Sequence, residues 1–216
     1  MNPSLLWTLA LAAVTIGSLH TLAPDHWVPF AVLARARGWS AAHTARVTFA
    51  CGFGHVTISA LLGLLGLAFG ATMIRAFGQR MEALAGVLLV GFGLAYGAWG
   101  LRRAAGRKLH GHSHSRYDHV HDPSRTTAWT LFLLFSADPC VAVIPLLVAA
   151  ASLGAAKTAA IVLLYELATI GTMIVLVLPA RAGAQVLRAR WPDRWGDAAA
   201  GGVIACVGIA VTAFGL

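Results

Sequence analysis

The segment His20-Thr-Leu-Ala-Pro-Asp-His26 lies inside the first long apolar run of the chain. Its seven residues include two imidazoles, a carboxylate and a proline, in a stretch otherwise apolar enough to enter a membrane. An ionisable side chain at that depth is costly unless it is paired, faces a cavity or binds an ion. The segment, called the heptad below, is therefore a candidate functional site, and its proline predicts a broken helix.

The composition places the chain in a membrane. Of its 216 residues, 58% are hydrophobic and only 11% are charged, whereas soluble domains carry roughly 25% charged residues. Each span needs about 20 mostly apolar residues, so the sequence predicts an all-α, polytopic membrane protein with six transmembrane helices. No small-residue cleavage site precedes the heptad, and we expect the first run to be a retained span. The six predicted helices cover approximately residues 5–34, 42–70, 82–101, 127–153, 157–180 and 198–216.

The lysines and arginines predict the orientation. Thirteen lie in or beside the connections after predicted helices one, three and five, and three lie on the opposite side. Positively charged connections stay in the cytoplasm, so we expect both termini outside a cell (inner) membrane. The net charge of +8 is accounted for in this way. It does not point to nucleic acid, and membrane lipid is the expected partner of these residues.

The third and sixth predicted helices share a pattern of small residues at an offset of 115, and small residues let helix backbones approach closely. The same offset places Pro24 on Pro139 and Asp25 on Cys140. Chance matching is one explanation, and a duplicated three-helix unit, necessarily inverted in the membrane, is the other. We predict a first repeat over residues 1–101, a cytoplasmic loop over 102–126 and a second repeat over 127–216, with helices one and four broken at the two prolines.

The heptad has the side chains of a metal site. On an ideal helix His20 and Asp25 lie about 140° apart, so the three polar side chains converge only if Pro24 opens the helix. Two imidazole nitrogens and a carboxylate oxygen suit Ni²⁺, Co²⁺ or Zn²⁺. The alternative is structural: the histidines hydrogen-bond neighbouring helices, and Asp25 caps a half-helix.

Four further residues within apolar runs are candidate ligands. His55, flanked by glycines that allow close packing, is a ligand, a gate or a packed core histidine. In the second repeat, Asp138 and Cys140 are either ligands or, for the aspartate, a helix cap. Glu166 pairs with a histidine, carries a proton, neutralises a cation or makes a simple polar contact.

The predicted cytoplasmic loop contains five histidines in twelve residues. Alternating histidines in a flexible loop bind transition metals weakly and unselectively, so we predict metal capture there. The alternative is a solvated basic linker that contacts anionic lipid. The histidines are His110, His112, His114, His119 and His121.

The pattern H-x4-D-H of the heptad resembles the signature of the nickel/cobalt transporter family. The segment Gly54–Val56 is similar to the Gly-His element on that family's following helix, and the six-helix layout with a histidine-rich loop looks like its efflux branch. These proteins belong to a superfamily with the lysine exporters and cytochrome biogenesis membrane proteins, built from inverted three-helix repeats. The resemblance implies that His20, Asp25, His26 and His55 line a metal path. In the larger importers, which have extra helices, the signature lies on the second span.

We accordingly expect a secondary transporter that carries Ni²⁺ or Co²⁺ as substrate by alternating access. On this interpretation the protein has no organic cofactor, is not an enzyme and is either a monomer or a homo-oligomer. Three alternatives remain open: a thiol–disulfide electron carrier of the cytochrome biogenesis type, an intramembrane metalloenzyme, and a membrane metal chaperone. The thiol alternative needs a second cysteine near Cys140, where the repeat places Asp25. Neither Cys51 nor Cys206 forms a CxxC pair, and both are expected to be core residues.

Overall fold

The computed structural model describes residues 3–69, 71–106, 123–138, 140, 142–188 and 195–214. Throughout these residues the regular structure is helical, without strands. The helices in chain order are α1 (Pro3–His20), α2 (Pro24–Ala36), α3 (Ala41–Phe69), α4 (Ala71–Gly106), α5 (Pro123–Ala137), α6 (Val143–Ala151), α7 (Ala155–Arg188) and α8 (Gly196–Phe214).

Four of these helices are long and apolar enough to span a membrane, or five if α1 and α2 together form one bent span. Many large apolar side chains face outward, including Trp7 at 73% and Leu11 at 69% exposure, as expected for a surface solvated by lipid. The prediction of an all-helical, multi-pass membrane protein is confirmed at this level. The predicted six spans are not confirmed: four or five candidate spans are found among the described residues, and α5 and α6, on either side of the break in the fourth predicted helix, are each too short to count as one.

The first break lies inside the heptad. α1 ends at His20, α2 begins at Pro24, and the axes of the two segments differ by 53°. Ala23 has the extended conformation (φ −56°, ψ 133°) that a following proline imposes. Pro24 lacks an N–H and so occupies the first position of α2 without losing a hydrogen bond.

The second break lies between Ala137, the last residue of α5, and Val143, the first of α6. Cys140 lies in this break, outside any helix. The predicted break therefore exists, although Pro139, to which it was assigned, is outside the described residues.

Two helices are longer than the sequence predicts. α4 begins at Ala71 rather than near residue 82, and α7 continues to Arg188 rather than ending near residue 180. The apolar parts of these helices, Leu84–Gly106 and Ala155–Gly183, lie closer to the predicted limits. Hydropathy detects the part of a helix that suits lipid, whereas backbone hydrogen bonding continues beyond it.

Glycines bring α4 and α8 into backbone contact, as the small-residue pattern predicts. A Cβ atom added at Gly208 would lie 2.7 Å from the Val90 nitrogen, and one added at Gly100 would lie 2.5 Å from the Ala198 nitrogen. No side chain larger than hydrogen fits at these positions without moving a helix.

A polar cluster joins α2, α4 and α8 at one end. The Tyr96 hydroxyl donates a hydrogen bond to Asp197 Oδ1 (2.6 Å). The Asp197 carboxylate also lies 4.0 Å from Arg37 Nε and 3.5 Å from Arg103 Nη1. The Arg37 guanidinium lies over the Trp99 ring, 4.7 Å from its centroid. Because Arg37 is the C-cap of α2, the cluster fixes the end of the helix that carries half of the heptad.

Candidate functional site: a buried histidine–cysteine cluster

The break after α1 brings the two histidines of the heptad together. His20 is the last residue of α1 and His26 the third of α2. Their ring centroids are 4.3 Å apart, with the rings edge to face. The expected opening of the helix at Pro24 thus produces the convergence that an unbroken helix would prevent.

α3 contributes a third imidazole. The His55 ring lies 5.3 Å from that of His26 and 6.3 Å from that of His20, and it is 1% exposed. Two glycines that precede it on α3 allow this position. A Cβ at Gly52 would lie 3.0 Å from Ile170 Cγ1, and one at Gly54 would lie 2.9 Å from Phe132 Cε2.

Two of the three imidazoles have their Nδ1 atoms engaged. His55 Nδ1 lies 3.1 Å from the Phe135 carbonyl oxygen, and His26 Nδ1 lies 2.9 Å from Asp25 Oδ1. Because a carbonyl or a carboxylate oxygen only accepts, each Nδ1 is the donor, and in the neutral ring each Nε2 then carries the lone pair. The Nε2 atoms of His20, His26 and His55 are all buried without a hydrogen-bond partner.

Cys140 approaches the histidines from the break between α5 and α6. Its backbone N–H donates to Ser59 Oγ (2.6 Å), and the Ser59 hydroxyl donates to the His55 carbonyl (2.6 Å). The Cys140 sulfur lies 2.8 Å from the Tyr165 hydroxyl. Since Cys140 is 3% exposed, these contacts hold a thiol at a defined position away from bulk solvent.

Among the described residues, His20, His55 and Cys140 each place one ligand atom within 4.8 Å of the others. The two ring nitrogens and the sulfur therefore form a group that could converge on one ion. The three residues come from α1, α3 and the α5–α6 break, so the cluster depends on the whole fold.

The other predicted site residues have different positions. Asp25 orients His26 and, with Asp138, lines a separate small cavity of about 30 Å³. Glu166 lines an apolar cavity of about 760 Å³ between α3, α6 and α7, with one carboxylate oxygen buried and unpartnered. Neither Asp138 nor Glu166 contributes a ligand atom to the group formed by His20, His55 and Cys140, although Asp138 lies close enough to influence His55 and Cys140. The predicted loop ligands between residues 110 and 121 lie outside the described residues.

Three residues of the site were not recognised as such in the sequence. Ser59 is four residues after His55 and so shares its helical face, but this spacing does not reveal its bond to Cys140. Tyr165 next to Glu166 gives no signal for a sulfur contact. Phe135, whose carbonyl engages His55, also packs its ring against His26 (5.8 Å). These contacts cross between helices, and no local pattern encodes them.

A family model for the cytochrome C biogenesis protein transmembrane region matches residues 28–210, which is most of the chain. No curated protein and no solved structure matches the chain. The match includes His55, Cys140 and Tyr165, whereas the heptad precedes it.

This match overturns two predictions. The assignment to the nickel/cobalt transporter family is wrong, and so is the predicted function as a secondary transporter of Ni²⁺ or Co²⁺. The error has a physical origin: H-x4-D-H shows that imidazoles and a carboxylate share a helix break, not what the site handles. The motif also includes no sulfur, whereas the folded site contains the Cys140 thiol. The predicted membership of the superfamily that includes the cytochrome biogenesis membrane proteins agrees with the match.

Proposed function

The chain belongs to the family of cytochrome C biogenesis protein transmembrane regions, and from that premise we propose that it carries electrons by thiol–disulfide exchange. The observation that supports this function is the position of Cys140, a free thiol in a helix break beside two imidazoles and a phenol. The proposal replaces the metal-transport interpretation with the thiol alternative.

Cys140 has surroundings that the other two cysteines lack. Cys51 is 0% exposed within an apolar cluster that includes Phe30, Leu33 and Met173, so it packs as a small hydrophobic residue. Cys206 lies on the exposed side of α8. Only Cys140 has acceptor nitrogens and a hydroxyl close to its sulfur.

The neighbouring imidazoles supply the base that exchange requires. A thiolate, not a thiol, attacks a disulfide, so Cys140 must first lose its proton. His20 and His55 each place a ring nitrogen within 4.8 Å of the Cys140 sulfur, and their buried Nε2 atoms have no hydrogen-bond partner. The Tyr165 hydroxyl can donate a hydrogen bond to the resulting thiolate, which stabilises its charge.

A single cysteine transfers two electrons through mixed disulfides. The Cys140 thiolate attacks an acceptor protein's disulfide, forming one S–S bond while the acceptor's second sulfur leaves as a thiolate. A thiolate of a reduced dithiol protein then attacks the Cys140 sulfur and releases the acceptor as a dithiol. The donor's second thiol finally displaces Cys140, and the donor leaves oxidised. This route needs no second cysteine in the chain, which answers the objection that the repeat partner of Cys140 is Asp25.

The exchange also requires access to a buried sulfur. Cys140 lies between Ser59 on α3 and Tyr165 on α7, so a partner reaches it only when the α5–α6 break moves away from those helices. We propose that the two broken helices belong to inverted repeats whose relative movement opens the site to either side. The packing of α4 against α8, the third helices of the two repeats, is consistent with this arrangement.

We further propose that both termini face outward and that the histidine-rich connection is cytoplasmic, on the basis of the arginine and lysine distribution. A cysteine introduced at Ser113 in a cysteine-free chain should react with an impermeant maleimide only from the cytoplasmic side, and one at Ser152 only from the outside. The opposite labelling pattern would reverse the assignment.

Contact of the basic residues with membrane lipid, and the absence of nucleic-acid and hydrolase functions, remain predictions.

Transfer across a sealed bilayer tests the proposed function. Proteoliposomes are loaded with a disulfide-linked, self-quenched glutathione dimer, and reduced glutathione is added outside. Wild-type protein should restore fluorescence inside, because electrons from external thiol reach the internal disulfide through Cys140. Acid quenching and alkylation should trap a Cys140–glutathione adduct that dithiothreitol removes.

The matched variants separate Cys140 from the other thiols. Cys140→Ser should reduce transfer to the rate of empty liposomes and abolish the adduct. The double variant Cys51→Ser/Cys206→Ser should retain both the electron transfer and the glutathione adduct, since neither residue lies in the histidine–cysteine cluster. Transfer that persists in Cys140→Ser, or that disappears only in the double variant, would show that Cys140 is not the carrier.

A further inference from the structure

His20, His26 and His55 together have more unpartnered ring nitrogens than are needed to take the proton from Cys140. Three buried imidazole Nε2 atoms have no hydrogen-bond partner, and two of them belong to residues less than 4% exposed. A buried polar atom without a partner destabilises a protein, and most native buried polar groups are satisfied. Three such atoms on adjacent rings therefore indicate a ligand that accepts lone pairs, which is a cation.

The histidine tautomers are set for metal binding. A metal-bound histidine commonly donates its other ring N–H to a carbonyl or a carboxylate, which orients the ring. His55 makes the first kind of contact, with Phe135 at 3.1 Å, and His26 makes the second, with Asp25 at 2.9 Å. In both rings the free Nε2 atom is left as the ligand.

We propose that His20, His55 and Cys140 bind one thiophilic d¹⁰ cation, Cu(I) or Zn(II), as a resident ion. Their ligand atoms lie within 4.8 Å of one another, so bonds of roughly 2.0 Å to nitrogen and 2.3 Å to sulfur would draw the three side chains together by about 1 Å. Thiolate with imidazole favours these two ions over the harder divalent cations. His26 adjoins His20 and is the nearest further imidazole, so it completes the coordination of Zn(II), whereas Cu(I) is satisfied by three ligands.

The charges at the site also suit a cation. Metal binding removes the Cys140 proton, and the resulting thiolate balances one positive charge. The Asp25 carboxylate lies next to His26 and supplies a second negative charge. The thiolate and Asp25 together offset the two positive charges of Zn(II), and Asp138, whose charge acts on Cys140, adds further negative charge; this matters because unbalanced charge is costly inside a membrane protein.

Metal binding and thiol exchange would compete for the same sulfur. This consequence, unlike the metal site itself, depends on the proposed function. A bound ion keeps Cys140 from attacking a disulfide, and a mixed disulfide on Cys140 removes the only sulfur ligand. Metal occupancy would therefore inhibit electron transfer.

Metal content and affinity test the site. The full chain is purified through a tag without histidine, in a background in which His110, His112, His114, His119 and His121 are all asparagine, so that the loop does not contribute. Reduced protein is titrated with Cu(I) against bicinchoninate and with Zn(II) against a chromophoric chelator. Mass spectrometry of the metals gives the stoichiometry, and X-ray absorption at the metal edge shows whether sulfur is bound.

One equivalent of Cu(I) or Zn(II) with one sulfur ligand is the expected result. Cys140→Ser, His20→Ala and His55→Ala should each weaken metal binding by more than about 100-fold. Removing a residue that only hydrogen-bonds a metal ligand weakens binding by about 10–100-fold, and removing the ligand itself should cost more. Asp25→Asn, which changes only the hydrogen-bond partner of His26, should weaken metal binding by about 10–100-fold. His43→Ala is the matched control, because His43 also has a buried, unpartnered Nε2 but packs against Trp39 instead.

Several outcomes would overturn the proposal. The proposal would be overturned if Cu(I) and Zn(II) each bound at less than half an equivalent, or if the X-ray absorption spectrum showed no sulfur ligand. It would also be overturned if His43→Ala weakened metal binding as much as the changes at His20, His55 and Cys140. Thermal unfolding of each variant without metal separates ligand loss from misfolding, and Cys140→Ser keeps a hydroxyl for the Tyr165 contact. If the protein binds metal but Cys140 forms no mixed disulfide, only the electron-transfer function is refuted. If Cys140 forms the mixed disulfide but the protein binds no metal, only the metal site is refuted.

Discussion

Gly201 lies where α8 crosses α4, and the two backbones leave no room there for a side chain. A Cβ atom at Gly201 would lie 2.5 Å from the Gly97 Cα atom and 2.6 Å from the Gly93 carbonyl oxygen. These atoms belong to a helix backbone and cannot rotate aside. Gly201→Ala must therefore push the two helices apart along part of their contact.

The neighbouring residue provides the control for this prediction. Gly202 is on the same helix, and a Cβ atom there would have nothing within 4 Å. Both Gly→Ala changes raise helix propensity by about 1 kcal/mol, while overpacking costs about 1–3 kcal/mol at Gly201 alone. The difference in the free energy of unfolding between the two variants thus isolates the steric cost, at about 1–3 kcal/mol.

Unfolding in detergent measures this difference. The protein in a mild non-ionic detergent is titrated with dodecyl sulfate, and helicity is followed by circular dichroism and packing by tryptophan fluorescence. Gly201→Ala should unfold at lower dodecyl sulfate than wild type, and Gly202→Ala at equal or higher concentration. Equal midpoints for the two variants, or a lower midpoint for Gly202→Ala, would refute the close α4–α8 contact.

Two further predictions use the same unfolding measurement. Ser59→Ala removes the acceptor of the buried Cys140 N–H and should lower the free energy of unfolding by about 1–3 kcal/mol. Ser152→Ala, at an exposed position, should change it by less than about 0.5 kcal/mol, and similar values for both would contradict the assigned hydrogen bond. Asp197→Asn should cost about 1–3 kcal/mol, between the values for an exposed ion pair and a broken buried one, because Asp197 is partly buried and both of its cation contacts are 3.5 Å or longer. Arg103→Gln, whose side chain is 45% exposed, should cost less than about 1 kcal/mol, so a larger loss in this variant would contradict the assignment.

Local sequence predicted the helix breaks well. Pro24 begins α2 because a proline cannot donate a backbone hydrogen bond and constrains the residue before it. Glycine spacing predicted the close α4–α8 packing for an equally local reason, since the absence of a Cβ is a property of the residue itself. The number of spans was less predictable, because hydropathy alone does not show whether two short helices on either side of a break, such as α5 and α6, together cross the membrane.

The site was predictable in part. His20, His26 and His55 were recognisable because ionisable side chains in apolar runs are costly. Their grouping with Cys140 was less accessible, because the partners of Cys140 are Ser59 on α3 and Tyr165 on α7, far away in sequence. Asp25 is predicted as a ligand, and the structure places its carboxylate against His26 Nδ1, a contact that composition does not reveal. The predicted function failed for a related reason, since a three-residue motif does not specify the chemistry of a site completed by distant residues.

Hydropathy and proline geometry act over a few neighbouring residues, so the amino-acid sequence alone is enough to predict an all-helical membrane protein with a break at the heptad. The meeting of the heptad histidines with His55 and a cysteine thiol is visible only in the folded chain. That meeting depends on how α1, α3 and the α5–α6 break pack together. Packing of this kind is set by many weak contacts between residues distant in sequence, and no single segment contains it.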